Sequence, residues 1–191
     1  MSEQNIGIFS GSFNPIHVGH LMLANYLCEF ENLDEIWFLV TPQSPMKEKI
    51  TNYTDIRRLS WVKKAIKDYP HFKASDFEWH LPKPYYTVNT LQALKTTYPD
   101  KNFSLIIGAD NWHIFHRWKD SDVILRDFSI LVYPRKGYET TCNENIYPTV
   151  KFTDAPLIEV SSTFIRENIR NGKNLSFFLP DGVYQELKNE D

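Results

Sequence analysis

Two histidines three positions apart, His17 and His20, follow a Gly-Ser turn at Gly11-Ser12, and the turn itself follows a short apolar run, Ile6-Gly7-Ile8-Phe9. A strand that stops in such a turn and restarts as a helix leaves the unpaired amides of the first helical turn facing outward, together with the positive end of the helix dipole. That arrangement receives an anion. Gly11 and the short Ser12, with Phe13 after them, let main-chain N–H groups come close to it. Residues three apart on a helix share a face, so both imidazoles can donate to one set of phosphate oxygens and offset charge on a leaving pyrophosphate. Alone, such a histidine pair is as readily a solvated helix face or a chance metal pair. Its place directly after a strand and a turn is what points to phosphate.

The same logic recurs at the far end of the chain. Ser161 or Ser162 can cap a helix, with neighbouring amides and the Thr163 hydroxyl facing a phosphate. Arg166 lies one turn on, on the side of Thr163, and its guanidinium can fork onto two phosphate oxygens. Most such strings are simple caps followed by a surface arginine, and pairing with the first cluster reverses that weighting. In a third cluster Gly108 leaves room for a nucleotide to pass a strand end, and Asp110 can accept a hydrogen bond from a ribose hydroxyl.

The elements that must position these residues alternate. Apolar runs at Ile6–Phe9, Ile36–Val40, Phe103–Ile107 and Phe128–Val132 read as buried strands, with Leu157–Val160 as a short last one and Phe72–Trp79 as an outer one. Helical spacing covers Gly19–Phe30, Ile56–Lys67, Val88–Thr97, a segment carrying Trp112, Phe115 and Trp118, the stretch from Ser161 to Arg170, and Val183–Lys188. Asn171-Gly172 suits a left-handed cap. Pro42–Tyr53 and Tyr138–Pro148 read as loops. Strand and helix in alternation predict an α/β, doubly wound parallel sheet, Rossmann-like, in which ligands collect beyond the carboxyl ends of the strands. Four polar clusters fall at those ends: Ser10–His20, Thr41–Lys49, Gly108–Trp118 and Ser161–Arg166. The expectation is a single domain over residues 1–191, its part from about 161 a small helical subdomain.

The bulk numbers set bounds. With 191 residues, 42% hydrophobic and 24% charged, the chain has enough apolar material for a real core. A formal charge of −3 gives no broad attraction for nucleic acid, so an anion must be met by local groups. Cys28 and Cys142 have no paired spacing, which argues against a disulfide framework or a zinc ribbon and for a reducing cytoplasm. No signal or membrane-spanning run is visible, so neither a membrane nor a nucleic acid is an expected partner. A homo-oligomer is left open.

The quoted residues resemble a known family. Gly11-Ser12-Phe13-Asn14-Pro15-Ile16-His17-Val18-Gly19-His20 resembles the F-(D/N)-P-x-H-x-G-H signature of the nucleotidyltransferase superfamily. Val160 to Arg166 resembles its I-S-S-T-x-I-R motif. Ile106-Ile107-Gly108-Ala109-Asp110 with Phe115 and Trp118, and Tyr86-Thr87-Val88-Asn89-Thr90-Leu91, are similar to segments of bacterial nicotinate-nucleotide adenylyltransferases. Asn14 and Asn89 stand where most bacterial members have Asp. The resemblance implies transfer of AMP from ATP to nicotinate mononucleotide, giving deamido-NAD and pyrophosphate, with Mg2+ carried by ATP and no metal cage in the protein. It implies that His17 and His20 bind ATP phosphates, that Lys47 lies near the triphosphate, that Trp118 stacks on the pyridine ring, and that Thr87 and the amides beside it meet the nicotinate carboxylate. Donors at a helix start suit that anion better than a neutral amide. The alternatives are another member of the superfamily, such as phosphopantetheine adenylyltransferase or a cytidylyltransferase, a nucleotide sensor without turnover, and a histidine-based metal protein.

Overall fold

The side chains of each central strand alternate between two apolar layers, and that alternation builds the molecule. The computed structural model describes residues 3–42, 53–138 and 147–188. In β1 (Gln4–Gly11), Ile6 and Ile8 enter one layer and Phe9 the other. In β2 (Glu35–Val40), Trp37 and Leu39 join the first, and Ile36, Phe38 and Val40 the second. β4 (Lys101–Gly108) and β5 (Ser129–Tyr133) divide their residues in the same way, with Ile106, Leu131 and Tyr133 in the second layer. Strands that are apolar on both faces need helices on both faces, and an all-parallel sheet supplies them through its crossovers.

With the short strands β3 (Phe72–Ser75) and β6 (Val150–Phe152) the sheet runs β3-β2-β1-β4-β5-β6, and every neighbouring pair is parallel. The helices are α1 (Val18–Phe30), α2 (Asp55–Ile66), α3 (Thr87–Thr97), α4 (Ala109–His113), α5 (Ser121–Asp127), α6 (Ser162–Arg170) and α7 (Val183–Lys188). α1, α2, α6 and α7 cover the layer of Phe9 and Phe38, while α3, α4 and α5 cover the layer of Ile8 and Leu105. The chain leaves β1 toward β2 and later returns to β4 on its other side, so the strand order reverses between β1 and β4. A crevice opens there at the carboxyl ends. Among the described residues no helix is long and apolar enough to cross a membrane.

Three local expectations are corrected and one helix is added. The outer strand stops at Ser75, and Phe77–His80 form a 3-10 turn in which the Trp79 indole donates to Val40 O at 2.7 Å. The expected helix through Trp118 is α4, then a 3-10 turn at Phe115–Arg117, with Trp118 extended beyond it (φ −71°, ψ 148°). The aromatic residues at 112, 115 and 118 repeat every three positions, the period of a 3-10 turn and not of an α-helix. α5 follows, unread in the sequence because its seven residues are too few to show a period. Last, Leu157–Val160 join no ladder. Leu157 is 51% exposed, and the sixth strand is Val150–Phe152, which contains a lysine and forms no apolar run.

The C-terminal segment has no core of its own. Ile165, Leu175, Leu179, Val183 and Leu187 are buried in the cluster that holds Phe9, Phe38 and Trp61. The Trp61 indole donates to Glu186 Oε2 at 2.8 Å, and Lys64 pairs with the same carboxylate. α6 ends as its sequence indicates: Gly172 has φ +71°, and Lys173 N–H donates to Asn168 O while Gly172 N–H donates to Ile169 O, a Schellman closure.

Candidate active site

The loop from Gly11 to His17 crosses the carboxyl end of β1 and delivers the chain into α1 with His17 as its N-cap (φ −142°, ψ 168°). His17 N–H donates to His20 Nδ1 at 3.2 Å, and the two rings stack with centroids 3.7 Å apart. Because Nδ1 of His20 accepts, the proton of its neutral ring sits on Nε2, which makes Nε2 a donor. Burial holds both imidazoles neutral. It lowers His17 to about 4, with help from the nearby Arg135 charge, and pushes His20 well below its ordinary value, with His17 and Arg135 adding to the effect.

Three side chains from distant parts of the chain hold that loop. Arg58, 0% exposed, donates to Ser12 O and to Thr41 O (2.9 Å) and pairs with Asp55 at 2.6 Å. From α6, Ser162 Oγ donates to Pro15 O at 2.9 Å and Arg166 Nη1 to Asn14 O at 2.6 Å, while Arg166 Nη2 reaches Thr163 Oγ1 at 3.2 Å. The Ser161 hydroxyl caps α6 by accepting from Phe164 N–H at 3.1 Å. The N-termini of α1 and α6 therefore meet over one loop, and His17, His20, Ser162, Thr163 and Arg166 are brought together.

The Phe13 side chain belongs to the core. It is 2% exposed with a left-handed backbone (φ 43°), and its ring packs edge-on against Phe9 and His20. A Cβ on Gly11 would stand 3.2 Å from that ring, so this glycine makes room for Phe13 as much as for any ligand. Phe13 presents no side-chain surface to a ligand. Ser12 is exposed beside it.

On the β4 side, a Cβ on Gly108 would fall 2.3 Å from Asp110 Oδ1, so only glycine lets that carboxylate fold back over the strand end. Asp110 Oδ1 lies 3.7 Å from Arg135 Nε. That is a charge pair too long for a hydrogen bond. Arg135, Tyr133 and Pro134 line one cleft with His17, His20, Gly19, Ile158 and Val160. Ile158 and Val160 thus serve the site as wall, not as strand. Asn14 Oδ1, His17 Nδ1, Asp110 Oδ1 and Arg135 Nε are all buried without a hydrogen-bond partner. Buried polar atoms are normally satisfied; Asp110 and Arg135 answer each other as that charge pair, and His17, which lines the cleft, is left with an unpartnered ring nitrogen that suits a polar ligand. Among the described residues no three His, Cys, Asp or Glu side chains stand close enough together to hold a metal ion.

A family model described as cytidylyltransferase-like matches residues 8–168. The "Probable nicotinate-nucleotide adenylyltransferase" of Bacteroides fragilis (strain YCH46) is 52% identical over 187 residues, covering 98% of this chain and 92% of that protein. This chain belongs to the nicotinate-nucleotide adenylyltransferase family. The like-named protein of Bacteroides thetaiotaomicron is 50% identical, with 98% and 94% covered. A Plasmodium falciparum nicotinic acid mononucleotide adenylyltransferase complexed with NaAD, only 17% identical, shares the fold with a TM-score of 0.74 over 98% of this chain and 95% of that one.

Two of the residues expected to meet the second substrate of such an adenylyltransferase sit apart from the histidines. Thr87 opens α3, with Tyr86 as an N-cap that makes no side-chain bond. α3 leads into β4, so its first turn lies at the carboxyl end of the parallel sheet, as the first turns of α1 and α6 do. Trp118 is half-buried, its ring 5.3 Å from Phe115. Trp112 also stacks on Phe115 and meets Tyr147 and Phe152 edge-on, half-buried against the core. Lys47 lies outside the described residues. Arg135 as a site residue, and the burial of Arg58 against the loop, were missed in the sequence. The first follows a strand end as the other clusters do and could have been found by that rule. The second has only Arg57 beside it as a clue, and nothing local says which of the pair is buried.

Proposed function

We propose that the crevice binds ATP along the α1–α6 junction and nicotinate mononucleotide toward α3, and joins AMP to the mononucleotide. A phosphate oxygen of the mononucleotide attacks the α-phosphorus of ATP in line. The new P–O bond forms as the bond to the bridging oxygen of the β-phosphate breaks, and pyrophosphate leaves with those electrons. An anionic phosphate oxygen is already a competent nucleophile, so no general base is needed, and catalysis rests on orientation and on offsetting charge. His20 Nε2–H and His17 donate to phosphate oxygens, and Arg166, which has five N–H donors, keeps some free beyond those given to Asn14 and Thr163. The amides of Gly11 and Ser12, the hydroxyls of Ser162 and Thr163, and Lys47 complete the triphosphate site. Gly108 and Asp110 lie along the ribose, Thr87 meets the ring carboxylate, and Trp118 stacks on the pyridine. Mg2+ comes with the phosphates of ATP, where it supplies charge neutralisation.

The observation that carries this reading is the convergence of the N-terminal parts of α1 and α6 on one loop, tied by the bond from Arg166 to Asn14, 152 positions away. The name of the Bacteroides relatives and the NaAD bound to the Plasmodium enzyme support the choice of substrate. Pyrophosphate release from ATP, measured with nicotinate mononucleotide, nicotinamide mononucleotide and phosphopantetheine, is the test. The nicotinate form should give the highest kcat/KM. Equal values for the two pyridine mononucleotides would remove the role given to Thr87, and no release with any pyridine mononucleotide would remove the whole reading.

A further inference from the structure

One face of the first turn of α3 is already answered from inside the protein. Glu78, in the 3-10 turn behind it, is 4% exposed, and its Oε1 accepts from the Thr90 hydroxyl at 2.9 Å. That hydroxyl also lies 3.4 Å from the carbonyl of Tyr86, the N-cap, so the carboxyl stands beside the first turn. Its second oxygen, Oε2, is buried with no hydrogen-bond partner.

No cation balances it among the described residues. On its own turn Asp76 and His80 face each other at 3.7 Å, the first half-buried and the second exposed. On α3 the one cation, Lys95, lies over the Phe128 ring in the last turn, and Tyr85 and Tyr86 precede the helix. On the strands behind, Glu35 is bonded to the Trp37 indole and Lys73 sits over the Trp37 ring. Burial raises Glu78 to about 7, against a smaller opposing pull from the Thr90 hydroxyl. The carboxyl therefore changes charge in the neutral range.

We propose that Glu78 is a specificity-tuning residue whose anion competes with the ring carboxylate of the pyridine substrate for the positive N-terminal end of α3. The inference rests on the reading that this turn holds the nicotinate carboxylate. A helix N-terminus carries roughly half an elementary charge. A neutral Glu78 leaves that charge to the ligand, and an ionised one partly cancels it from the buried side. The effect belongs to the anionic pyridine mononucleotide and not to ATP, whose phosphates sit on α1 and α6.

The test is the pH profile of KM for nicotinate mononucleotide and for ATP between pH 6 and 8.5, in the full-length native chain, Glu78→Gln and Thr90→Val. In the native enzyme KM for nicotinate mononucleotide rises about two- to five-fold as pH passes 7, the scale of one charge at a helix end. In Glu78→Gln that rise is gone. Thr90→Val moves it to higher pH, because the lost hydroxyl donor had favoured the anion. KM for ATP shows no such rise in any of the three. The substrate phosphate titrates identically in all three proteins and cancels in the comparison. A flat native profile, or the same rise in Glu78→Gln, overturns the proposal. If Glu78→Gln does not fold, the direction of the Thr90→Val shift decides alone. Equal KM for nicotinate and nicotinamide mononucleotides overturns instead the underlying reading of α3.

Discussion

His20 combines three properties that each come from a neighbour. Its Nδ1 is occupied by the His17 amide, its ring is stacked on His17, and burial keeps it neutral. A neutral donor with its proton already on Nε2 is ready for a phosphate oxygen without rotation or proton transfer. Replacing it by alanine should lower kcat by ~10²-fold or more, the scale of losing one preorganised donor. Steady-state turnover of His20→Ala within a few-fold of native would show that the assignment is wrong. Bound triphosphate should also raise the pKa of both imidazoles, since negative charge favours the protonated form. ATP binding near pH 5 to 6 should then take up protons. Calorimetry in buffers of different ionisation enthalpy measures that uptake, and a heat independent of buffer would count against any contact between the histidines and phosphate.

At the scale of elements, the loop after β1 is held where three of them meet. Arg58 of α2 reaches Ser12 and the end of β2, while Ser162 and Arg166 of α6 reach Pro15 and Asn14. Removing Arg58 leaves the Ser12 and Thr41 carbonyls without their donor, a cost of about 1–3 kcal/mol for a buried acceptor, while Asp55, 41% exposed, is rehydrated. Arg58→Ala should lose stability on that scale in urea denaturation, and the surviving folded protein should show a raised KM for ATP. Arg166→Lys tests the other tie. A point charge remains but the planar fork is lost, so it should keep most of the stability while weakening ATP binding. These elements were largely legible in the chain, since caps and turns are local. Ser161 caps α6 as its type suggests, and α1 begins within one residue of the expected start. The short pieces were not legible. β6 has three residues and α5 seven, lengths at which packing outweighs any pattern.

Over the whole molecule, two buried groups pull stability in opposite directions with pH. His17 has its folded pKa at about 4, below its ordinary 6.5, so the unfolded chain takes up the proton first. The stability this gives is complete above pH 6.5 and is lost as pH falls toward 4. Glu78 has its folded pKa near 7, above its ordinary 4.5. The stability it gives is complete below 4.5 and is lost as pH rises toward 7. The Tm of Glu78→Gln relative to native should therefore improve from pH 5 to pH 8, and that of His17→Gln should improve from pH 7 to pH 5. Thermal melts across that range check both signs, and parallel curves for the three proteins would refute the burial assigned to these groups.

What the sequence determined by itself is the chemistry carried within a single turn or cap: the histidine pair behind Gly11-Ser12, the serine cap with Thr163 and Arg166, and the alternation of strand and helix. Each depends on residues within about ten positions of one another, where spacing sets geometry directly. Only the tertiary structure decided which charges share a space. Arg58 and Ser12 are 46 positions apart, and Arg166 and Asn14 are 152. That Arg135 faces the histidines, that Phe13 is core, that Ile158 and Val160 wall the cleft and that Glu78 lies unbalanced beneath α3 all follow from burial, and burial is a property of the folded whole.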